Sequence, residues 1–226
     1  MKHLQNLSLI CFASIIILII EGCCITKPNC DPEGGNFTYG PELSYRITKF
    51  TGSDAKDEDT KSIGAIGFGG YIHWIFCEDY PQMGFYSGLL YNQFGGKWEY
   101  SGGDEVWKDR MHYLTLPITF TYEIIDGLRI EAGPDISFLL ATKWIVEENG
   151  NKETGDFKDD AAAAQIGYNI GLSYTDDQSG LGGFFRWNGG FTNPYSSEYT
   201  DDVDFKVRNG GFSFGIRYGL NRLIYK

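Results

Sequence analysis

Two runs of strict alternation joined by a tight turn constrain this chain more than anything else in it. In Met111–Glu123, Leu114, Leu116, Ile118, Phe120 and Tyr122 fall on one side, while Thr115, Pro117, Thr119, Thr121 and Glu123 fall on the other. Ile125-Asp126-Gly127 follows, and then a second run from Leu128 to Trp144. A period of two is the mark of a β-strand with two chemically different faces. An Asp-Gly step between two such runs predicts a hairpin turn.

The pattern recurs. Strands are expected at 40–50, 63–75, 82–95, 111–123, 128–144, 161–175, 180–192 and 206–219. Most are close to or longer than the ~9–11 residues that a tilted strand needs to cross a bilayer. Three connections are short, at Glu78-Asp79-Tyr80-Pro81, Asp126-Gly127 and Asp176-Asp177-Gln178-Ser179. Four are longer and polar, at about 51–62, 96–110, 145–160 and 193–205. Short turns at one end, long loops at the other and an even strand count predict an eight-stranded antiparallel up-and-down transmembrane β-barrel.

The two faces separate this from a soluble barrel. Ile166, Tyr168, Ile170, Leu172 and Tyr174 oppose Gln165, Gly167, Asn169, Gly171 and Ser173, and Phe212, Phe214, Ile216 and Tyr218 oppose Ser213, Gly215 and Arg217. A water-facing wall carries many Lys and Glu. A narrow lumen instead needs small side chains and charges that can pair. Arg129, Glu131, Asp135, Arg186 and Arg217 are the expected polar network of that lumen. Trp74, Tyr91, Tyr122, Trp144, Tyr174 and Tyr218, near strand ends, suit interfacial girdles.

Composition agrees with this reading and excludes others. Lipid meets only every second residue of a barrel strand, so the hydrophobic share of 42% is unremarkable, and 30 glycines suit a narrow interior. A net charge of -11 argues against nucleic acid, which needs clustered Lys and Arg. The acidic runs Asp54–Asp59, Glu147–Asp160 and Glu198–Asp204 are expected to be solvated loops. None has the ordered Asp/Asn/Gly spacing of a calcium site.

The N-terminus predicts export. Lys2 and His3 precede an apolar stretch from Leu7 to Ile20, too short for a spanning helix. Ile20-Glu21-Gly22-Cys23 resembles the cleavage site of bacterial lipoproteins, with Glu21 departing from the usual apolar or small residue. Cys23 is therefore a candidate for lipidation. The alternative is ordinary cleavage that leaves Cys23, Cys24 and Cys30 in the periplasm. The expected organisation is a signal peptide over 1–22, a periplasmic segment over 23–39, the barrel over 40–219 and an extension over 220–226. Pairing of Cys24, Cys30 and Cys77 is left open by sequence, and no metal-ligand spacing occurs.

Tyr113-Leu114-Thr115-Leu116-Pro117, followed by Gly127-Leu128-Arg129-Ile130-Glu131-Ala132-Gly133-Pro134, resembles the paired central motif of the Bacteroidota outer-membrane β-barrel domain, the PorT-like or "porin family" barrel. Gly84–Asn92, Ile166–Tyr174 and Gly210–Tyr218 resemble its other strands, in order, so the resemblance covers about 40–219. It implies an eight-stranded barrel in the bacterial outer membrane and little about activity. The continuation from Gly219 to Lys226 departs from barrels that end on a strand-terminal aromatic, and the lipoprotein-like site is also untypical.

Some small outer-membrane barrels modify lipids, using a nucleophile and a His near the outer rim. Past the signal this chain has His73 and His112, expected at opposite ends of the barrel; His112 could pair with Asp109 or a loop Ser. No catalytic residue, cofactor or metal is expected, and a structural role for His112 is preferred. An eight-stranded lumen is filled by side chains, so no open pore is expected. The Gly-rich runs at 67–70 and 180–190 lie in strands and are not phosphate loops.

Trp98, Tyr100, Trp107, Tyr195 and Tyr199 stand in the long connections. They are read either as contacts for a protein or glycan partner or as the upper membrane girdle. The leading expectation is a structural or partner-binding outer-membrane barrel in contact with lipid. The alternatives are a lipid-tethered or secreted soluble barrel holding an apolar ligand and an outer-membrane lipid-modifying enzyme.

Overall fold

The computed structural model describes residues 37–57, 60–75, 82–100, 105–148, 150–176, 178–196 and 206–220. Nine strands follow in order: β1 Phe37–Thr51, β2 Ile63–Ile75, β3 Met83–Tyr100, β4 Glu105–Ile125, β5 Leu128–Glu148, β6 Asn151–Gly155, β7 Ala164–Thr175, β8 Leu181–Gly190 and β9 Arg208–Tyr218. A short helix, α1 (Ser53–Asp57), follows β1, and a single 3-10 turn spans Lys158–Asp160. Among the described residues no helix is long and apolar enough to cross a membrane.

All pairings between these strands are antiparallel. Neighbours run β4-β3-β2-β1-β9-β8-β7-β5, and the β4–β5 pairing closes them into a ring of eight, with β6 added outside it on β5. The ring closes because β1 finds β9 in a register that sets Leu43 beside Ile216 and Tyr45 beside Phe214, apolar against apolar on the outer face. At the β4–β5 turn Gly127 takes φ 77°, left-handed backbone that only glycine adopts without strain.

The wall is inside-out relative to a soluble protein. Leu43 is 54% and Phe185 51% exposed, whereas Glu131 on the lumen side is 0% exposed. This arrangement overturns the soluble ligand-binding alternative, which needs the apolar face turned inward. On β1 the apolar outer face runs from Phe37 to Ile47. At ~3.3 Å per residue and a tilt of ~40° that is a band about 25 Å tall, the height of a bilayer's hydrocarbon layer.

Much of the described part of two expected loops is sheet instead. Within the polar stretches at 96–110 and 145–160, residues 96–100, 105–110, 145–148 and 151–155 belong to the far ends of β3, β4 and β5 and to β6. Their charges had suggested loops, but they lie across strands from one another. Lys108 Nζ sits 3.2 Å and Lys152 Nζ 3.5 Å from the carboxylate of Glu147, while Glu99 pairs with Lys61 and Lys97. Cross-strand ion pairs stabilise a water-facing sheet as apolar pairs stabilise a lipid-facing one. With 21 residues each, β4 and β5 are roughly twice the band's height, whereas β8 has only 10. The barrel thus has one raised wall, β3–β6, opposite a low one.

Candidate functional site

The lumen is filled at two levels by different chemistry. At the level of the apolar band, Glu131 on β5 bridges two arginines. Arg186 Nε on β8 donates to its Oε2 at 2.7 Å, and Arg217 Nη1 on β9 donates to its Oε1 at 3.0 Å. Arg186 Nη1 also donates to Glu42 Oε1 on β1 at 2.9 Å, and Tyr86 on β3 donates its hydroxyl to Glu42 Oε2 at 2.7 Å. The Arg186 guanidinium lies 4.1 Å from the centroid of Phe184 and 4.4 Å from that of Tyr86. Five strands are tied together across the interior.

Gly171 makes this possible. It sits on β7 between Glu131 and Arg186, and a Cβ there would fall 2.8 Å from Arg186 Cγ and 2.2 Å from a neighbouring carbonyl oxygen. Any larger residue would block the arginine from reaching the carboxylate. Buried charges are tolerated when each is paired and hydrogen-bonded, which this set achieves.

Of the five charges expected in the lumen, Glu131, Arg186 and Arg217 join one cluster. Arg129 pairs instead with Glu123 near the short turn. Asp135 lies over Gly167 and interacts with Asn169, and among the described residues it has no cation within ion-pair distance. Sequence reasoning missed Glu42, Tyr86 and Arg46. The signal for Glu42 and Arg46 was present, since Glu42, Ser44, Arg46 and Thr48 alternate with Leu43, Tyr45 and Ile47. Tyr86 gave none: its inward companions on β3 include Gly84, Leu90 and Asn92, with no polar rhythm.

Towards the long loops, the filling turns apolar. Phe50, Ala55, Phe94, Met111, Tyr113, Tyr195 and Val207 form a buried cluster, with Trp98, Leu139 and Phe157 packed against it. The Phe50 ring stacks on Trp98 at 5.0 Å. Tyr195 is drawn inward by its connection, where Ala162 N donates to Pro194 O at 2.8 Å and Ser196 N to Asp160 O at 2.7 Å. Its hydroxyl donates to Asp109 Oδ2 at 2.8 Å. Burial pushes the Asp109 carboxyl up to about 6, with the Tyr195 bond opposing. Trp98 and Tyr195, read from sequence as partner contacts or as upper girdle, are packed into this cap.

Trp107 continues the inner face of β4 past Asp109, opposite Trp98, and is left open to solvent beyond the cap. It is 39% exposed, with its ring 6.1 Å from that of Trp144 on β5 and its Nε1 donating to Glu105. Tyr100 ends β3, opposite Glu105. Tyr199, Cys23 and Cys77 lie outside the described residues.

The two histidines face different media. His73 points into the lumen, with Nε2 2.8 Å from Thr121 Oγ1, whereas His112 lies on the outer face, hydrogen-bonded through Nδ1 to Tyr91. They do not share a site. Among the described residues no group of three or more His, Cys, Asp or Glu could hold a metal ion.

A model of the outer membrane protein beta-barrel domain matches residues 27–224. The chain belongs to that family. Its apolar band is thus lipid-facing wall in the bacterial outer membrane. Solved barrels of similar architecture include Neisserial surface protein A, at 13% identity and a TM-score of 0.48, over 83% of this chain and 99% of that one. Another is Ail, the attachment invasion locus protein of Yersinia pestis, in complex with the heparin analogue sucrose octasulfate, at 13% identity and 0.42, over 81% and 98%. A third is the N-terminal barrel domain of Pseudomonas aeruginosa OprF, at 10% identity and 0.35, over 81% and 100%. These scores lie below 0.5, so family membership rests on the family match. A search of curated proteins gave no match.

Proposed function

We propose that this protein is a closed barrel that acts by architecture and by contact, with its raised wall outside the cell as the contact surface. Short turns at one end and long connections at the other fit the usual insertion, with the turns in the periplasm. The observation that carries the reading is the pairing of a filled lumen with a wall that outgrows the bilayer. A polar cross-link and an apolar cap lie in series along the lumen, and the cavity between Tyr71, His73, Arg129 and Arg217 near the turns measures about 20 Å3. That holds about one water. Strands β3–β6 meanwhile extend past the lipid and offer Trp107, beside Trp144, to a protein or glycan partner.

The same reading takes residues 1–22 as a signal peptide, Cys23 as a candidate lipid anchor and the chain as a PorT-like barrel of the Bacteroidota. It assigns no catalytic role to His73, held in the lumen, or to His112, whose nearest polar partner is Tyr91.

Two measurements test it. In planar bilayers the purified chain is expected to give no steady conductance, and an ohmic channel would overturn the closed-lumen part. A photo-reactive residue replacing Trp107 in intact cells is expected to capture a discrete partner, while the same group replacing Ile66 in the lipid band captures none. Equal labelling at both positions would overturn the contact role.

A further inference from the structure

We propose that Arg110 and Lys143, with His112 and Tyr91 beside them, form a binding site on the outer wall for the phosphate of an outer-leaflet glycolipid. The inference rests on the orientation above, with the long connections outside.

Position comes first. On β4 the outward apolar residues end at Leu114, and the next two outward residues are His112 and Arg110; on β5 they end at Leu140 and Ala141, and the next is Lys143. The pair therefore stands where the hydrocarbon band gives way to headgroups. Among the described residues, those facing outward at the turn end include Tyr122, Ile124, Ile130, Tyr174 and Tyr218, and none of these is a cation.

Their pairing is the second observation. Arg110 and Lys143 lie directly opposite each other in the β4–β5 register, on the same face. Like charges so placed repel. Elsewhere on the raised wall Lys97, Lys108 and Lys152 each have a glutamate, and Lys61, bridged to Lys97, shares Glu99. Among the described residues Arg110 and Lys143 have no carboxylate within ion-pair distance, in a chain whose net charge is -11. A wall that pairs Lys97, Lys108 and Lys152 with carboxylates and leaves these two facing each other is open to an anion from outside.

The geometry suits a phosphate. Arg110 Nη1 donates to Gly64 O at 3.1 Å, which fixes the guanidinium against β2 and leaves its other donors available. A guanidinium held this way can fork onto two phosphate oxygens while the lysine supplies a point charge. Gln93 Nε2 donates to the Tyr91 hydroxyl at 2.9 Å, and Tyr91 bonds His112, so a row of polar groups edges the cations on the β3 side. His112 follows Arg110 on the same face of β4 and lies opposite Ala141, two residues from Lys143, so all three share one locality.

The test uses the full chain in neutral detergent micelles doped with diphosphoryl lipid A, and native mass spectrometry counts retained lipid. Wild-type protein is expected to retain it. The Arg110→Gln/Lys143→Gln double variant should bind about thirtyfold more weakly, since each of the two cations contributes about fivefold near an anionic surface. Lys152→Gln, which removes a charge already paired with Glu147, should bind as wild type. Unchanged binding by the double variant, or equal retention of lipid A stripped of its phosphates, overturns the proposal. Full displacement by millimolar inorganic phosphate would overturn the lipid as the source and leave a free-phosphate site. The double variant is expected to unfold in urea no earlier than wild type, since a repulsion has been removed. External protease cutting at Lys152 in intact cells reports the orientation separately, so failure of that premise is not mistaken for failure of the site.

Discussion

Within the lipid band, β4 sends Thr115, Thr119 and Thr121 inward and Leu116, Phe120 and Tyr122 outward; a few residues away it sends Met111 and Tyr113 inward and Lys108, Arg110 and His112 outward. The neighbouring strands change over in the same way. On β1 Arg46 faces in beside outward Tyr45, but Phe50 faces in beside outward Lys49. On β3 Asn92 faces in beside outward Tyr91, but Phe94 faces in beside outward Gln93. The backbone alternation is unbroken while its chemistry inverts. Where lipid surrounds the wall, the interior is held by ion pairs. Where water surrounds it, the interior is an ordinary apolar core. One strand therefore folds by two sets of rules, and the crossover marks the membrane surface.

The sharpest test of the ionic half is Glu131→Ala. It leaves Arg186 and Arg217 without the carboxylate they share, and removing one partner of a buried charged set costs about 3–5 kcal/mol. Urea unfolding in detergent should report a loss of that size, together with failure to resist SDS when unheated. A loss below about 1 kcal/mol, the range of an exposed pair, would mean that water already reaches this level and that the inversion is less complete than described.

The apolar half should respond more gently. Met111→Ala removes a fully buried side chain and is expected to cost about 2–3 kcal/mol, the low end of such changes. Tyr195, packed above it on a connection, can settle part of the way into the space. Protease sensitivity should rise at 191–196 while SDS resistance is kept. Equal loss of SDS resistance in both variants would break the comparison, since cap and cross-link would then be one cooperative unit.

This inversion also explains what could be read from the sequence. The eight ring strands, their antiparallel order and the lipid face were legible because period two is backbone geometry and the band holds one phase for about ten residues. The ends of β3, β4 and β5 were not. Asp109, Arg110 and Lys108 look like loop when strands are sought by a single apolar phase, although Met111 and Tyr113 already carry the opposite one. Glu131, Arg186 and Arg217 were identifiable as isolated charges on small-residue faces. That they share one carboxylate, while Arg129 turns to Glu123, depends on which charges meet across the ring, and alternation along a strand carries no such information.

A pH series separates the two halves again. The Asp109 carboxyl is raised to about 6 by burial, against roughly 4 in an unfolded chain. The folded cap therefore favours the protonated form. The cap should be firmest below about pH 4, weaken as pH climbs through that window to about 6, and stay level above it, by about 3 kcal/mol in all. Hydrogen exchange at 191–196 should follow this course, and Asp109→Asn should flatten it, because an amide oxygen still accepts from Tyr195 without taking a charge. A trend of the opposite sign would place an unrecognised cation beside Asp109.

The smallest effect belongs on the water-facing side of the raised wall. Glu99 holds Lys61 and Lys97, and those hydrogen bonds keep its carboxyl down at about 2. A depressed carboxylate adds stability above its unfolded value, and that contribution is lost as pH falls from about 4 through 2. It is also screened by salt, since the group is open to water. Glu99→Gln should leave the urea midpoint and SDS resistance unchanged at neutral pH. Any slight shift should vanish in molar salt, where the loss in Glu131→Ala persists because no ions enter the lumen. If salt erased both alike, the lumen carboxylate would be as exposed as the surface one, and the division of the barrel into an ionic interior below and an apolar one above would fail at its lower half.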